Sequence, residues 1–177
     1  MQLTTARLLI RPYQPSDAQA LHQAVQASLT SVGRWLPWCT EDYSLDTALD
    51  WIRQCQRAYA LGSAYDLAVV LRDTGRLCGS VAINQIDSAA GVGNIGYWIS
   101  QPWQSQGLAS EAVRAIIDLG LHTLALKRLE IITAPDNLAS QRVALRVGAR
   151  AEGVELRPLG PDQPATPAWV SAIGAPR

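Results

Sequence analysis

The residues best suited to chemistry stand between positions 104 and 109, reading Gln104-Ser105-Gln106-Gly107-Leu108-Ala109 directly ahead of Ser110-Glu111-Ala112-Val113. A loop running into a helix N-terminus offers backbone N–H groups with no intrahelical partner, and the helix dipole adds partial positive charge. Gly107 has no Cβ and Ala109 only a methyl, so main chain can close on a pyrophosphate there. No Walker lysine follows the loop. A glycine and an alanine at this place also suit plain strand-to-helix packing, so the surroundings must decide between the two readings.

Such a loop needs a strand to end and a helix to begin. Asn94 to Ser100 has strand character, and Gln101-Pro102 breaks it. The long helix that follows carries an apolar stripe of Val113, Ile116, Ile117, Gly120, Leu121 and Leu124 at helical spacing. Leu129 to Ala134 is expected as the next strand, and Asn137 to about Val147 as a further helix with Gly148 as its C-terminal cap. Upstream, Leu8 to Arg11 is a short strand, after which Pro15, Ser16 and Gln19 suit a capping-box start to a helix with Leu21 and Val25 inward. An aromatic, irregular stretch holding Trp35 and Trp38 comes next, then a helix capped by Ser44 with Leu45, Ala48, Leu49, Ile52 and Tyr59 on one stripe. Tyr65 to Leu71 and Arg76 to Ile86 form a hairpin across Asp73-Thr74-Gly75.

The class is therefore α+β with a mixed sheet, and 177 residues fit a single domain spanning 1–177. Pro158, Pro161, Pro164, Pro167 and Pro176 crowd the segment from about 158, which is expected as loop with one short strand at most. Fifteen basic residues balance fifteen acidic ones, which argues against nucleic-acid and anionic-membrane partners. No signal-peptide core is present and no apolar run approaches about 18 residues, so cytoplasmic residence is expected. Cys39, Cys55 and Cys78 lack CxxC spacing and lie far from His22 and His122, so no metal site or disulfide framework is expected. His122 is a flank residue of its helix, and no cysteine shows the surroundings of an activated thiolate.

The QxxGxA pattern directly after Gly96-Tyr97-Trp98-Ile99 resembles the acyl-CoA loop of the GNAT superfamily of N-acetyltransferases. TARLLIRPYQPSDAQAL resembles that group's opening strand and helix. RWLPW resembles a loop of its ribosomal-protein N-terminal, RimJ/RimL-like branch, and NLASQRVALRVGARAEG its late helix. The stretches fall in the expected order from Thr5 to Gly153.

The resemblance implies a twisted mixed sheet flanked by helices and splayed after the GYWI strand. Acetyl-CoA is the implied co-substrate, with no metal: its pantetheine arm hydrogen-bonds main chain near Tyr97, Trp98 and Ile99, and its pyrophosphate sits on Gln104, Ser105, Gln106, Gly107, Leu108 and Ala109. Asn137 would contact the coenzyme, or simply cap its helix. Ser140 would lie near the sulfur and could protonate the leaving thiolate, or merely satisfy backbone groups. Trp35 and Trp38 are candidate lips of the acceptor site, with helix packing the alternative. The implied activity is direct acetyl transfer to a primary amine, on a protein N-terminus or a small molecule, by a monomer or homodimer. The competing reading is an acyl-CoA-binding sensor or scaffold without turnover.

Three positions depart from the family pattern. Asn94 stands where many relatives carry a proton-accepting glutamate, Ala144 where many carry an acidic tyrosine, and Ala149 where a phenylalanine usually packs. Asn94 cannot be a general base, although it occupies the catalytic position. Glu41, Glu111 and Glu155 are the other carboxylates that could face the site, each also readable as a solvated surface acid. Beyond Arg157 the resemblance fades, where relatives run a hairpin that walls the acceptor pocket.

Overall fold

A computed structural model describes residues 1–160 and 163–175; Pro161 and Pro176 lie outside the described residues. Eight strands form one sheet: β1 (Leu3–Thr4), β2 (Leu8–Pro12), β3 (Tyr65–Leu71), β4 (Leu77–Asp87), β5 (Val92–Ile99), β6 (Arg128–Thr133), β7 (Arg150–Arg157) and β8 (Thr166–Gly174). Their order is β1-β2-β3-β4-β5-β6-β8-β7, and only β5 and β6 pair in parallel. Four helices flank it: α1 (Ala18–Gln26), α2 (Leu45–Leu61), α3 (Leu108–Asp118) and α4 (Leu138–Arg146). The mixed, helix-flanked sheet is the architecture expected from the sequence.

The apolar run of β3 reflects cover on both faces. Leu67, Val69 and Leu71 join Val113 and Ile116 of α3 in one core, whereas Ala68 and Val70 join Leu21 and Val25 of α1 and Ile52 of α2 in another. Alternation along every strand therefore sorts side chains to an α3/α4 face and an α1/α2 face. The α3 stripe continues through one turn of π-helix, Leu119–Thr123. Its Gly120 is there for packing: a Cβ would stand 2.8 Å from Leu129 and 2.9 Å from Ile83.

Ser44 caps α2 as expected, accepting the Thr47 N–H at 3.1 Å. The start of α1 differs. A short 3-10 turn, Pro15–Asp17, precedes it, and Gln14 and Asp17 cap reciprocally without Ser16. Asp17 takes the Gln14 N–H at 2.7 Å while Arg11 grips both its oxygens at 2.7 and 2.8 Å, so an anchored carboxylate displaces the hydroxyl.

The C-terminal expectation of loop with one short strand at most holds in part: one strand forms, but it is the nine-residue β8, inserted between β6 and β7. Pro167 is tolerated because β8 pairs with β6 only from Trp169 onward, so near Pro167 one side of the strand carries no ladder. The β7–β8 hairpin that the fading resemblance left in doubt is present. Among the described residues, no helix is long and apolar enough to cross a membrane.

Candidate active site

The sheet opens along one seam. β5 and β6 pair only at Val92–Arg128, Gly93–Leu129 and Asn94–Glu130, although β5 runs on to Ile99 and β6 to Thr133. Past that point β5 stays bonded to β4 as far as Ile99, and β6 to β8 as far as Thr133. The two halves diverge, leaving Ile95–Ile99 without a strand partner on the β6 side.

Directly beyond this edge the chain makes the loop singled out from the sequence. A 3-10 turn, Gln101–Trp103, follows β5, and Ser105 and Gly107 then adopt left-handed φ of 61° and 80°. The first backbone bond to close is Glu111 N–H to the Gly107 carbonyl at 3.1 Å, so the N–H groups of Leu108, Ala109 and Ser110 precede any helical acceptor. A Cβ on Gly107 would meet only Arg7 Nη2, at 3.6 Å. Conformation demands glycine there, and its surroundings remain open for an anion. Leu108 buries its side chain in the core and can offer only backbone.

Two of the loop's glutamines are braces. Gln104 turns its amide inward, donating to the Ile99 carbonyl at 2.8 Å and to Ser31 Oγ at 3.2 Å. Gln106 donates to the Pro102 carbonyl at 3.3 Å, and its own carbonyl accepts from Arg7 Nη1 at 2.9 Å. The segment between α1 and α2 is welded to the loop's start, since Ser28 Oγ accepts the Gln101 N–H at 3.0 Å. Glu111 is a clasp on the N-terminus: it accepts from Thr5 Oγ1 at 2.6 Å, the Arg7 N–H at 2.9 Å and Arg7 Nε at 2.7 Å. Burial opposes its charge, but these hydrogen bonds outweigh that and hold the carboxyl below its ordinary range.

Side chains alternate across the unpaired edge. Tyr97 faces α4, where its hydroxyl donates to the Ser140 carbonyl at 3.0 Å and shares a 2.7 Å hydrogen bond with Ser140 Oγ. Burial pushes the Tyr97 phenol up to about 12, only partly offset by Ser140, so it stays a proton donor. Asn137 caps α4 and accepts the Ser140 N–H at 3.1 Å. Ser140 is thus held by both neighbours. The sequence named Tyr97 only as main chain beside the coenzyme. Strand alternation could have aimed it at the α3/α4 face, but nothing local signalled that α4 would begin there.

On the opposite face, Asn94 Nδ2 donates to Asn84 Oδ1 at 2.9 Å, while Asn94 Oδ1 is buried with no partner among the described residues. Trp98 packs against Trp38, ring centroids 5.7 Å apart, and Trp38 against Tyr43 at 5.9 Å. Trp38 therefore sits beside the unpaired edge of β5. Trp35 instead carries the Arg34 guanidinium over its ring at 4.7 Å, and Arg34 lies 3.9 Å from Asp136, just ahead of α4.

The remaining candidates have other tasks. Glu155 lies 3.4 Å from Arg157, Glu41 is exposed, and His122 is exposed 3.7 Å from Asp118. All three cysteines are buried, and burial raises every thiol, that of Cys78 to about 12, which disfavours a thiolate nucleophile.

Comparison with known proteins agrees with this geometry. The model of the acetyltransferase (GNAT) domain family matches residues 7–150. YdaF of Bacillus subtilis, provisionally named a ribosomal N-acetyltransferase, is 29% identical over 153 residues, covering 82% of this chain and 79% of its own. A solved structure from Vibrio cholerae, provisionally named a ribosomal-protein-serine acetyltransferase, superposes with a TM-score of 0.88 at 31% identity, covering 99% of this chain and 98% of its own. The RimL ribosomal L7/L12 α-N-protein acetyltransferase, solved with coenzyme A, shares the fold at 21% identity and a TM-score of 0.87, covering 98% of each chain. On the matched domain and the splayed sheet, this chain belongs to the GNAT acetyltransferase family, as an N-acetyltransferase.

Proposed function

We propose that the acceptor is a primary amine, a protein N-terminal α-amine first and a small amine second, acetylated directly by one domain spanning residues 1–177. The cytoplasm is the proposed location, and a monomer or homodimer the proposed assembly, without nucleic acid or membrane as partner. One observation carries the mechanistic reading. Where β5 and β6 part, a hydroxyl pair lies on one side of β5 and an orphaned amide oxygen on the other.

Bound acetyl-CoA supplies an activated acyl carbon. The loop from Gln104 to Ala109 holds the pyrophosphate, chiefly through backbone N–H groups at the start of α3. Ser140, steadied by Tyr97, gives a proton to the departing sulfur. Asn94 Oδ1 accepts an N–H of the incoming amine and aims its lone pair; it orients and does not deprotonate. An α-amine has a pKa of about 8, so roughly a tenth is already neutral at pH 7. The wall of Trp38 and Trp98 offers apolar contact to a small uncharged N-terminal residue, consistent with the ribosomal-protein names of the relatives.

Thiol release from acetyl-CoA, assayed with peptides beginning in Ser or Ala, polyamines, free amino acids and aminoglycosides, tests the acceptor. Peptides should be turned over fastest; a polyamine preference would move the assignment to small amines. Tight coenzyme binding by calorimetry with no release for any amine would support the sensor instead. Ser140→Ala should lower kcat about 100-fold with coenzyme affinity unchanged, and unaltered turnover would remove the acid role.

A further inference from the structure

The acceptor face of β5 holds one more polar group than acetyl transfer itself uses. Asn84 of β4 lies opposite Asn94, and one hydrogen bond joins the two side chains, Asn94 Nδ2 donating to Asn84 Oδ1 at 2.9 Å. That bond occupies the oxygen of the Asn84 carboxamide and leaves its nitrogen. Among the described residues Asn84 Nδ2 has no hydrogen bond, and unlike Asn94 Oδ1 it is not sealed from solvent.

The nitrogen faces open space. A Cβ on Gly96 would stand 3.5 Å from Asn84 Nδ2 and would touch no other side chain or strand within 4 Å. A group seated over Gly96 therefore comes within reach of the Asn84 N–H. Gly96 is the second β5 residue past the last pair with β6, on the same face as Asn94 and Trp98, and Asn84, Asn94, Gly96 and Trp98 are all partly exposed.

Backbone strain falls at the same point. β4 bulges directly after Asn84: its register with β5 steps from Asn84–Asn94 to Asp87–Val92, and Gln85 takes a left-handed φ of 48°. A residue with a Cβ adopts that conformation only at a cost, and a bulge beside a site re-aims the side chains next to it. On the other side of Gly96 the space is bounded by Trp98, packed edge-on against Trp38. Alternate positions on a strand are about 7 Å apart, which leaves room for one amino-acid residue between the Asn84 nitrogen and the Trp98 ring.

We infer that Asn84 is a specificity-determining residue, its carboxamide N–H donating to the carbonyl oxygen next to the reacting α-amine. Asn94, which holds the Asn84 oxygen, is its positioning partner. The inference rests on the α-amine reading above and names the substrate class within it: an α-amino-acyl end rather than an alkylamine. With the carbonyl on Asn84, the amine lies over Gly96 at the opening between β5 and β6, and a small side chain rests on Trp98 and Trp38. A polyamine or an aminoglycoside brings no carbonyl to this place and leaves the donor unpaired, and a site built to hydrogen-bond a group discriminates against acceptors that lack it.

The test is the ratio of kcat/KM for a peptide beginning in Ala to that for a polyamine, measured by thiol release in wild type, Asn84→Ala and Asn84→Asp. The ratio should fall about 10-fold in Asn84→Ala. It should fall further in Asn84→Asp, whose carboxylate still accepts the Asn94 N–H but repels a carbonyl and attracts ammonium groups. The peptide's loss should lie in KM more than in kcat, because the contact is the same before and during transfer. A second pair, alaninamide against isopropylamine, differs only in the carboxamide and should show the same fall; a fall confined to the peptide pair would place the contact further along the chain and overturn the assignment. An unchanged ratio, or an equal loss for both acceptors, would overturn the inference and leave the α-amine reading standing. A wild type that acetylates polyamines and no peptide would remove both. Should Asn84→Ala fold poorly, the near-isosteric aspartate variant still decides.

Discussion

The two halves of the sheet meet over three residue pairs and are held by different physics. On the β1–β5 side, antiparallel strands bury apolar side chains on both faces. On the β6-β8-β7 side, one face is knit by charge: Arg128, 3% exposed, bonds Glu130 at 2.9 Å and also Glu152, while Arg157 bonds Glu130. A seam between differently built halves can stay open at one end while each half remains whole. The coenzyme loop belongs to the first half and Ser140 to an element packed on the second, so the opening lies between them.

Breaking the charged half should have the largest effect. Arg128→Ala takes from buried Glu130 one of its two cations, Arg157 being the other, and loss of a partner from a buried ion pair costs up to about 3–5 kcal/mol. Urea unfolding should show that loss, whereas Arg128→Met with Glu130→Leu should recover much of it. If the single variant loses less than about 1 kcal/mol, the charged cluster does not hold this half, and its β-ladders do.

The halves also differ in how far the sequence disclosed them. The hairpin of β3 and β4, the β5 strand, the loop and α3 are contiguous, and their turn chemistry and spacing are local signals. The ladder that places β8 between β6 and β7 joins residues far apart in the chain, and prolines hide it because Pro167 is harmless only where one side of the strand is bare. Arg128 and Glu130 alternate with Leu129 and Ile131 as a half-exposed strand would. Their burial depends on Glu152 and Arg157, which no local pattern ties to them. The site divided the same way: the loop was legible, but the Tyr97–Ser140 pair is a product of packing between separate elements.

A second comparison is between the loop's conformation and its charge. Gly107→Val places a β-branched residue at φ 80°, where the left-handed conformation costs a residue with a Cβ about 1–2 kcal/mol, and sets a side chain beside the N–H groups of α3. Coenzyme affinity should fall at least 100-fold by calorimetry, about 2.7 kcal/mol. Unchanged affinity would move the pyrophosphate elsewhere.

The smallest effect is expected at the Glu111 clasp, a charged contact in the apolar half. Arg7 is half-exposed there, with a side-chain exposure of 49% against 17% for Glu111, so the pair contributes far less than the Arg128 cluster. Glu111→Gln should cost about 1 kcal/mol at pH 7, mostly as weakened hydrogen bonds from Thr5 and Arg7. The sign with pH follows from the direction of its shift. The folded carboxyl is held below its unfolded value of about 4.3, so its stabilisation is fully present above that value and is lost as pH falls through the folded one. The gap between variant and wild type should therefore narrow from pH 7 to pH 3 in urea melts. A constant gap would assign the loss to packing. Coenzyme affinity should change less than about 3-fold, because Arg7 still reaches the Gln106 carbonyl and the start of α3 is set by Gly107, not by this charge. In this half, shape holds the loop and charge only steadies it, whereas across the seam removing one charge unbuilds the wall.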